Sequence, residues 1–316
     1  MLRVNPGLYP SQADDLLTSS ILSKVPEIRI FPNTGPDIVE SLLQVVSEGK
    51  APKLKKITVS LATASLSQLS PEILAGAAVK LERFSARLSS VQNEAILTRS
   101  ATTQDSRLRE LSCYQMAEMP GMDPEILSQA LVKLEIVGYR GFLVKLSPDQ
   151  VLALFSRIRE SPDLRLTELE IYLDVSMVPP ELFAGALSRL ETVRFRPWSR
   201  VTPSQLESLF MLMISNQQEE AGESKLKQLK FCGIDLTSVP PEVLVGAIQS
   251  LEKVEFWPGK MTMDQINAIL TMLKGNQQGK LKYVVIDRPS ILGGSVSPTL
   301  LRQARLNTTV NISLEI

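Results

Sequence analysis

Val178-Pro179-Pro180-Glu181-Leu182-Phe183-Ala184-Gly185-Ala186-Leu187-Ser188-Arg189-Leu190-Glu191 recurs, with eight of its fourteen residues unchanged, as Val239-Pro240-Pro241-Glu242-Val243-Leu244-Val245-Gly246-Ala247-Ile248-Gln249-Ser250-Leu251-Glu252. Earlier copies run from Leu69 to Glu82 and from Met122 to Glu135. The Pro-Glu pairs fall at 71, 124, 180 and 241, so the spacings are 53, 56 and 61. Between them lies a second kind of segment. Val201-Thr202-Pro203-Ser204-Gln205-Leu206 resembles Met261-Thr262-Met263-Asp264-Gln265-Ile266 and Leu146-Ser147-Pro148-Asp149-Gln150-Val151. The long period is therefore two alternating units. A sustained repeat of this length points to a stack in which each unit packs on its neighbours.

Each unit opens with a short alternating run: Leu166-x-x-Leu169-x-Ile171, Leu190-x-x-Val193-x-Phe195, Leu226-x-x-Leu229-x-Phe231 or Leu251-x-x-Val254-x-Phe256. Alternation with period two predicts a strand. A turn and an amphipathic helix of about 10–14 residues follow. Pro180 and Pro241 suit the first helical position, where a missing N–H costs nothing, and Glu181 and Glu242 favour the positive end of the helix dipole. Ser70, Asp123, Ser147 and Thr202 stand where N-caps belong. The first apolar residues of the strands fall at 25, 54, 81, 108, 134, 166, 190, 226, 251 and 281, with a degenerate copy near Asn307. This predicts eleven strands alternating with ten helices, residues 25–316 forming a single solenoid and residues 1–24 capping it, with a helix around Ala13–Leu22.

Ten copies of Leu-x-x-Leu-x-Leu followed by a helix make the chain similar to the leucine-rich repeat family. The alternation of two unit types resembles its ribonuclease-inhibitor-like subclass. The resemblance implies an α/β horseshoe, with parallel strands on the concave face and helices on the convex face. Strands stacked about 4.8 Å apart and helices about 10 Å apart make such a stack bend. The family places Asn or Cys in the turn after the strand. Here Trp198, Ile234, Asp174 and Met116 hold that place, so the usual side-chain ladder is expected to be absent. Ribonuclease inhibitors proper are acidic and rich in cysteine. This chain has 34 basic and 34 acidic residues and two cysteines, which argues against that activity.

Composition narrows the chemistry. There is no histidine, which removes the commonest general base, metal ligand and pH switch. Cys113 and Cys232 cannot make a disulfide framework or a four-ligand zinc site. Gly275-Asn276-Gln277-Gln278-Gly279-Lys280-Leu281 is no phosphate loop, because its spacing is short and Leu stands where Ser or Thr binds magnesium. The expectation is a non-enzyme with no cofactor and no metal. A zero net charge argues against nucleic acid. Met1–Pro10 lacks the pattern of a signal peptide, and the longest apolar run, Leu209–Ile214, is six residues, far short of a membrane span. A cytoplasmic protein without membrane contact is expected.

Residues that alternate with the core positions face the open side of the strands. Tyr114, Arg140, Tyr172, Arg194, Arg196 and Trp257 fall there, and Cys232 with them. Arg, Tyr and Trp are favoured interface anchors. The leading expectation is a scaffold binding a protein partner on this face; the same residues also read as simple cross-strand cover. On that expectation, replacing Tyr172, Arg196 and Trp257 together by Ala leaves the fold intact and abolishes capture. Three other readings stand beside it: a GTPase-activating or other regulator of a small GTPase, the sensor segment of a larger cytosolic receptor, and a structural assembly subunit. The last uses the strand pattern of residues 309–316, a nearly uncharged edge suited to edge-to-edge association.

Overall fold

The computed structural model describes residues 1–4, 22, 24–31, 34–59, 66, 68–113, 121–137, 146–197, 199–218, 224–257, 259–275, 280–287, 290–292, 297–307 and 309–313. The chain divides into two compact units, one of Met1–Arg157 and Ser161–Leu166, the other of Ile158–Glu160 and Thr167–Ile316. Each unit is an α/β stack of parallel strands and crossover helices.

In the first unit the order is β1 (Leu2–Val4), β2 (Glu27–Ile30), α1 (Pro36–Ser47), β3 (Lys56–Val59), α2 (Pro71–Ala78), β4 (Arg83–Ala86), α3 (Ser90–Thr102), β5 (Glu110–Cys113), α4 (Pro124–Val132), β6 (Ile136–Val137) and α5 (Pro148–Glu160), whose last turn belongs to the second unit. Strands β1 to β6 lie side by side in sequence order, all parallel. The second unit continues with β7 (Glu168–Ile171), α6 (Pro180–Leu187), β8 (Thr192–Phe195), α7 (Pro203–Gln218), β9 (Gln228–Cys232), α8 (Pro241–Ile248), β10 (Lys253–Trp257), β11 (Lys260–Thr262), α9 (Met263–Gly275), β12 (Tyr283–Asp287), β13 (Ser290–Leu292), α10 (Pro298–Asn307) and β14 (Thr309–Ser313). Its main sheet runs β7-β8-β9-β10-β12-β14, again parallel, and β11 pairs with β13 in a small sheet of their own.

The strands begin two residues after each predicted first apolar position, from Glu27 after Val25 to Tyr283 after Leu281. The alternation also holds. Ile57, Phe84 and Leu111 stand in register across β3, β4 and β5, buried under the helices, while Thr58, Ser85 and Ser112 take the opposite face. In the second unit the inward row is aromatic. Phe183, Phe195, Phe231 and Phe256 stack at 6.2, 5.5 and 5.5 Å, and Phe210 meets Phe231 edge-on at 6.0 Å. Fully burying a Phe stabilises by roughly 1.5–3 kcal/mol, and such ring pairs add about 0.5–1.5.

Helix lengths depart from the expected range. The helices that open with Pro-Glu are short: α2, α6 and α8 have 8 residues and α4 has 9. Those of the alternate unit, α3, α5, α7 and α9, have 13 to 16. The short helices stop because Leu81, Leu134, Leu190 and Leu251, all buried, immediately pull the chain back toward the sheet. Gly76 and Gly246 let the short helices approach: a Cβ there would lie 3.1 Å from Ser47 and from Ile214 of the preceding long helix.

The predicted caps hold. Ser70 and Asp123 accept from the second and third helical amides, and Ser147 and Thr202 accept from Gln150 and Gln205. At the N-terminus, β1 pairs with β2, a strand that the pattern of residues 1–24 does not disclose. Most of the expected capping helix lies outside the described residues.

Candidate functional site

The turns between strand and short helix carry backbone carbonyls, and no Asn ladder is expected to serve them. A different residue serves them. Gln92, Gln150, Gln205 and Gln265, each at most 1% exposed, occupy the third position of the long helices. Each Oε1 accepts from the N-cap amide, at 3.0, 2.9, 2.9 and 2.8 Å from Ser89, Ser147, Thr202 and Thr262. Each Nε2 reaches back one unit: to Leu66 and Leu69 carbonyls, to Met122, to Val175 and Val178, and to Leu236 and Val239, at 2.6–3.1 Å. The Ser/Thr-x-x-Gln spacing is that of a capping box. It is visible in the sequence, yet only the fold shows that the same amide clamps the preceding unit.

On this frame the second unit's sheet presents three outward rows. Register places Glu168, Thr192, Gln228, Lys253 and Tyr283 in one row and Glu170, Arg194, Lys230, Glu255 and Val285 in the next. Cys232 and Trp257 pair in the third, which Tyr172 and Arg196 enter from the ends of β7 and β8. Parallel neighbours are about 4.8 Å apart, so long side chains of opposite sign interlock.

Two charge clusters result. Glu170 is 2% exposed. It accepts from Arg196 at 2.5 Å and from the Tyr172 hydroxyl at 3.2 Å, with Arg194 at 3.9 Å. Arg194 also pairs with Glu168. The Arg196 guanidinium lies 5.4 Å from the Tyr172 ring centroid, and its Nε is buried without a hydrogen-bond partner. Burial is the largest influence and works against the Arg196 charge, but the Glu170 hydrogen bond and charge, with smaller help from Tyr172 and Cys232, together outweigh it and hold its pKa above the ordinary value. Burial pushes Arg194 the other way, helped by the like charge of Arg196. Burial and the Glu170 charge raise the Tyr172 hydroxyl.

The second cluster centres on Glu255. Its carboxylate accepts from Lys253 at 2.5 Å, from Trp257 Nε1 at 2.7 Å and from Lys230 at 3.0 Å. Burial opposes its charge, yet these three donors hold its pKa at about 2. Lys230 also sits 4.2 Å from the Trp257 ring centroid, and Lys253 4.9 Å from that of Tyr283.

Of the six residues expected to form the binding face, Tyr172, Arg194, Arg196 and Trp257 come together here, all half-buried. Tyr114 and Arg140 lie outside the described residues, as does Trp198. Sequence reading passed over Glu170, Lys230 and Glu255, because a charged residue between two core positions looks like ordinary solvent cover. It also passed over Ser199, whose Oγ accepts from the Arg196 amide at 3.0 Å and donates to the Ile171 carbonyl, fixing the end of β8. Burial raises the Cys232 thiol, the opposite of an activated nucleophile. Among the described residues no group of three His, Cys, Asp or Glu could hold a metal ion, and no helix is long and apolar enough to cross a membrane.

The architecture is similar to that of a chain in the crystal structure of the Rad7 and Elc1 complex in yeast. The TM-score is 0.50 and the identity 12%, over 94% of this chain and 70% of that one. A Bacteroides fragilis protein of solved structure aligns at 12% identity and a TM-score of 0.36, over 96% of this chain and 69% of its own. No protein-family model matches the chain, and no curated protein matches it. At such identity the likeness to the yeast chain concerns the fold, and with the alternating parallel strands and helices it makes this protein an α/β repeat solenoid.

Proposed function

We propose that the protein is a non-enzymatic, cytoplasmic interaction scaffold of the ribonuclease-inhibitor-like kind, holding a protein partner on the open face of the second unit's sheet. The observation that carries this reading is the locked arrangement of Tyr172, Arg194, Arg196, Lys230 and Trp257 around two carboxylates. Side chains already fixed in the free protein lose little freedom on association, which is what raises affinity for a given area. The yeast chain of similar fold was crystallised in a complex of two proteins, which agrees with this use of the architecture.

The test needs variants that leave the buried carboxylate partnered. Arg196→Ala would strip Glu170 of its closest cation and confuse loss of fold with loss of binding. Tyr172→Ala with Trp257→Ala keeps the Arg196–Glu170 pair. The immobilised full chain should capture partner protein, and the double variant should lose it while its circular dichroism stays that of the parent. Undiminished capture by the folded double variant would remove the site from this face.

A further inference from the structure

Between β8 and β10 the open face sinks into a groove of about 250 Å³, lined by Thr192, Arg194, Gln228, Lys230, Lys253 and Glu255 together with Val193 and Leu229. Three cations line it against one carboxylate. That carboxylate is saturated: Lys253, Trp257 and Lys230 already donate to Glu255, which stays ionised far into acid. Glu168 balances Arg194 from β7, outside the groove. What lines the groove is otherwise rich in donors. A guanidinium carries five N–H groups and an ammonium three, while Gln228 and Thr192 add donors of their own. The cations are crowded as well, since Arg194 loses proton affinity to burial and to its neighbour Arg196. An incoming anion would relieve that crowding, and the half-buried setting makes such a contact stronger than on an open surface.

We infer that this groove takes an acidic, extended peptide segment of the protein partner, with a carboxylate seated among Arg194, Lys230 and Lys253 and flanking rings at Tyr283 and Trp257. The inference rests on the scaffold reading and adds the chemistry of the partner. Side chains on one face of an extended chain recur about every 6.7 Å, so a segment laid across the strands can seat one carboxylate among the cations and bring its neighbours to the flanking rings.

The experiment uses the full chain and three fluorescein-labelled peptides in which Gly alternates with Glu, Gln or Lys, read by fluorescence anisotropy. The Glu peptide should bind, the other two should not, and added salt should weaken the binding. Lys253→Glu reverses a half-buried charge while Lys230 and Trp257 still donate to Glu255, and Gln228→Trp fills the groove at unchanged charge. Each should weaken the Glu peptide roughly tenfold or more with the fold intact by circular dichroism. Equal binding of the Glu and Gln peptides, or an unchanged Lys253→Glu variant, would overturn the inference. Complete competition by a short oligonucleotide of equal charge would also overturn it, by assigning the groove to polyanions at large. Partner capture run in parallel separates the two proposals. Capture lost in Tyr172→Ala/Trp257→Ala but kept in Lys253→Glu leaves the scaffold reading standing and removes the acidic segment. Capture kept in every variant removes both.

Discussion

The central outward row of the first unit reads Arg29, Thr58, Ser85, Ser112; that of the second reads Glu170, Arg194, Lys230, Glu255. The inward rows differ as well: Ile30, Val59 and Ala86 in one unit, Ile171, Phe195, Phe231 and Phe256 in the other. Strand cadence, alternating helix lengths and glutamine clamps are nevertheless shared. One frame thus carries a lightly filled, small-polar face and a heavily filled, interlocked one. The second is where long charged side chains and rings are held in fixed places.

The largest expected effect tests the inward difference. Phe231 touches three other rings and is 1% exposed, so Phe231→Ala should cost about 3–5 kcal/mol. In the first unit, Val59→Ala deletes two buried carbons at about 0.8 kcal/mol each plus a small cavity, about 2 kcal/mol in all. Urea denaturation of both variants measures the contrast, and equal costs would show that the aromatic stack adds nothing to the frame.

The next effect should be the same in both units. Gln92→Ala and Gln205→Ala each leave a buried N-cap amide and two buried carbonyls without their side-chain partner. At about 1–3 kcal/mol per orphaned group, softened by relaxation, each should cost about 3 kcal/mol, and the two should agree within about 1 kcal/mol. A large difference would mean that the clamp is a feature of one unit and not of the repeat.

These clamps also mark what the sequence made legible. Strand positions, inward residues and N-caps were readable because period, burial and capping are local and recur ten times. The clamp was not, because Gln205 shows its capping box locally but its bonds to Val175 and Val178 span 30 and 27 residues. The outward rows of the second unit were half legible. Tyr172, Arg196 and Trp257 stood out by residue type and alternation. Glu170 and Glu255 did not, since a carboxylate on a strand's outer side is usually solvated, and only the neighbouring strands reveal that these two are enclosed. The short helices were misjudged because Pro-Glu starts are plain in sequence, whereas their ends are set by tertiary burial of the next leucine.

A smaller effect separates the outward rows. Arg196→Ala removes the cation 2.5 Å from a carboxylate that is 2% exposed. Breaking a buried pair costs about 3–5 kcal/mol, but Tyr172 and Arg194 remain near Glu170, so about 2 kcal/mol is expected. The corresponding Thr58→Ala in the first unit should stay within about 0.5 kcal/mol. Adding Glu170→Gln to Arg196→Ala should recover part of the loss; no recovery would mean that the cation acts through packing on Tyr172 and not through charge.

Acid sharpens the same contrast. Glu255 titrates at about 2 in the folded protein against an ordinary 4.5, so the folded state binds its proton less readily than the unfolded one. Its contribution is complete above pH 4.5 and drains away as the pH falls from there toward 2. The stability gap between the parent and Glu255→Gln should therefore be flat above that window and narrow within it. In the first unit the Arg29 hydrogen bond lowers the Glu27 carboxyl, but that pair is exposed and the corresponding Glu27→Gln gap should be smaller. A gap for Glu255→Gln that does not change with pH would show that its three donors do not favour the ionised form.

The smallest effect belongs to the ion pairs along the strand entrances, Lys55–Glu82 at 3.0 Å in the first unit and Lys227–Glu191 at 3.2 Å in the second. They look like a ladder, yet their side chains are about half exposed, and salt screens what attraction remains. The ladder itself is made by backbone: Glu82 and Arg83 amides donate to the Lys55 carbonyl, Lys227 and Gln228 amides to that of Glu191. Any residue but proline supplies those groups. Lys55→Ala and Lys227→Ala should each change stability by at most about 0.5 kcal/mol, equally in the two units, and high salt should erase even that. A loss well above this from Lys227→Ala alone would mean that charge organises the second unit beyond its open face.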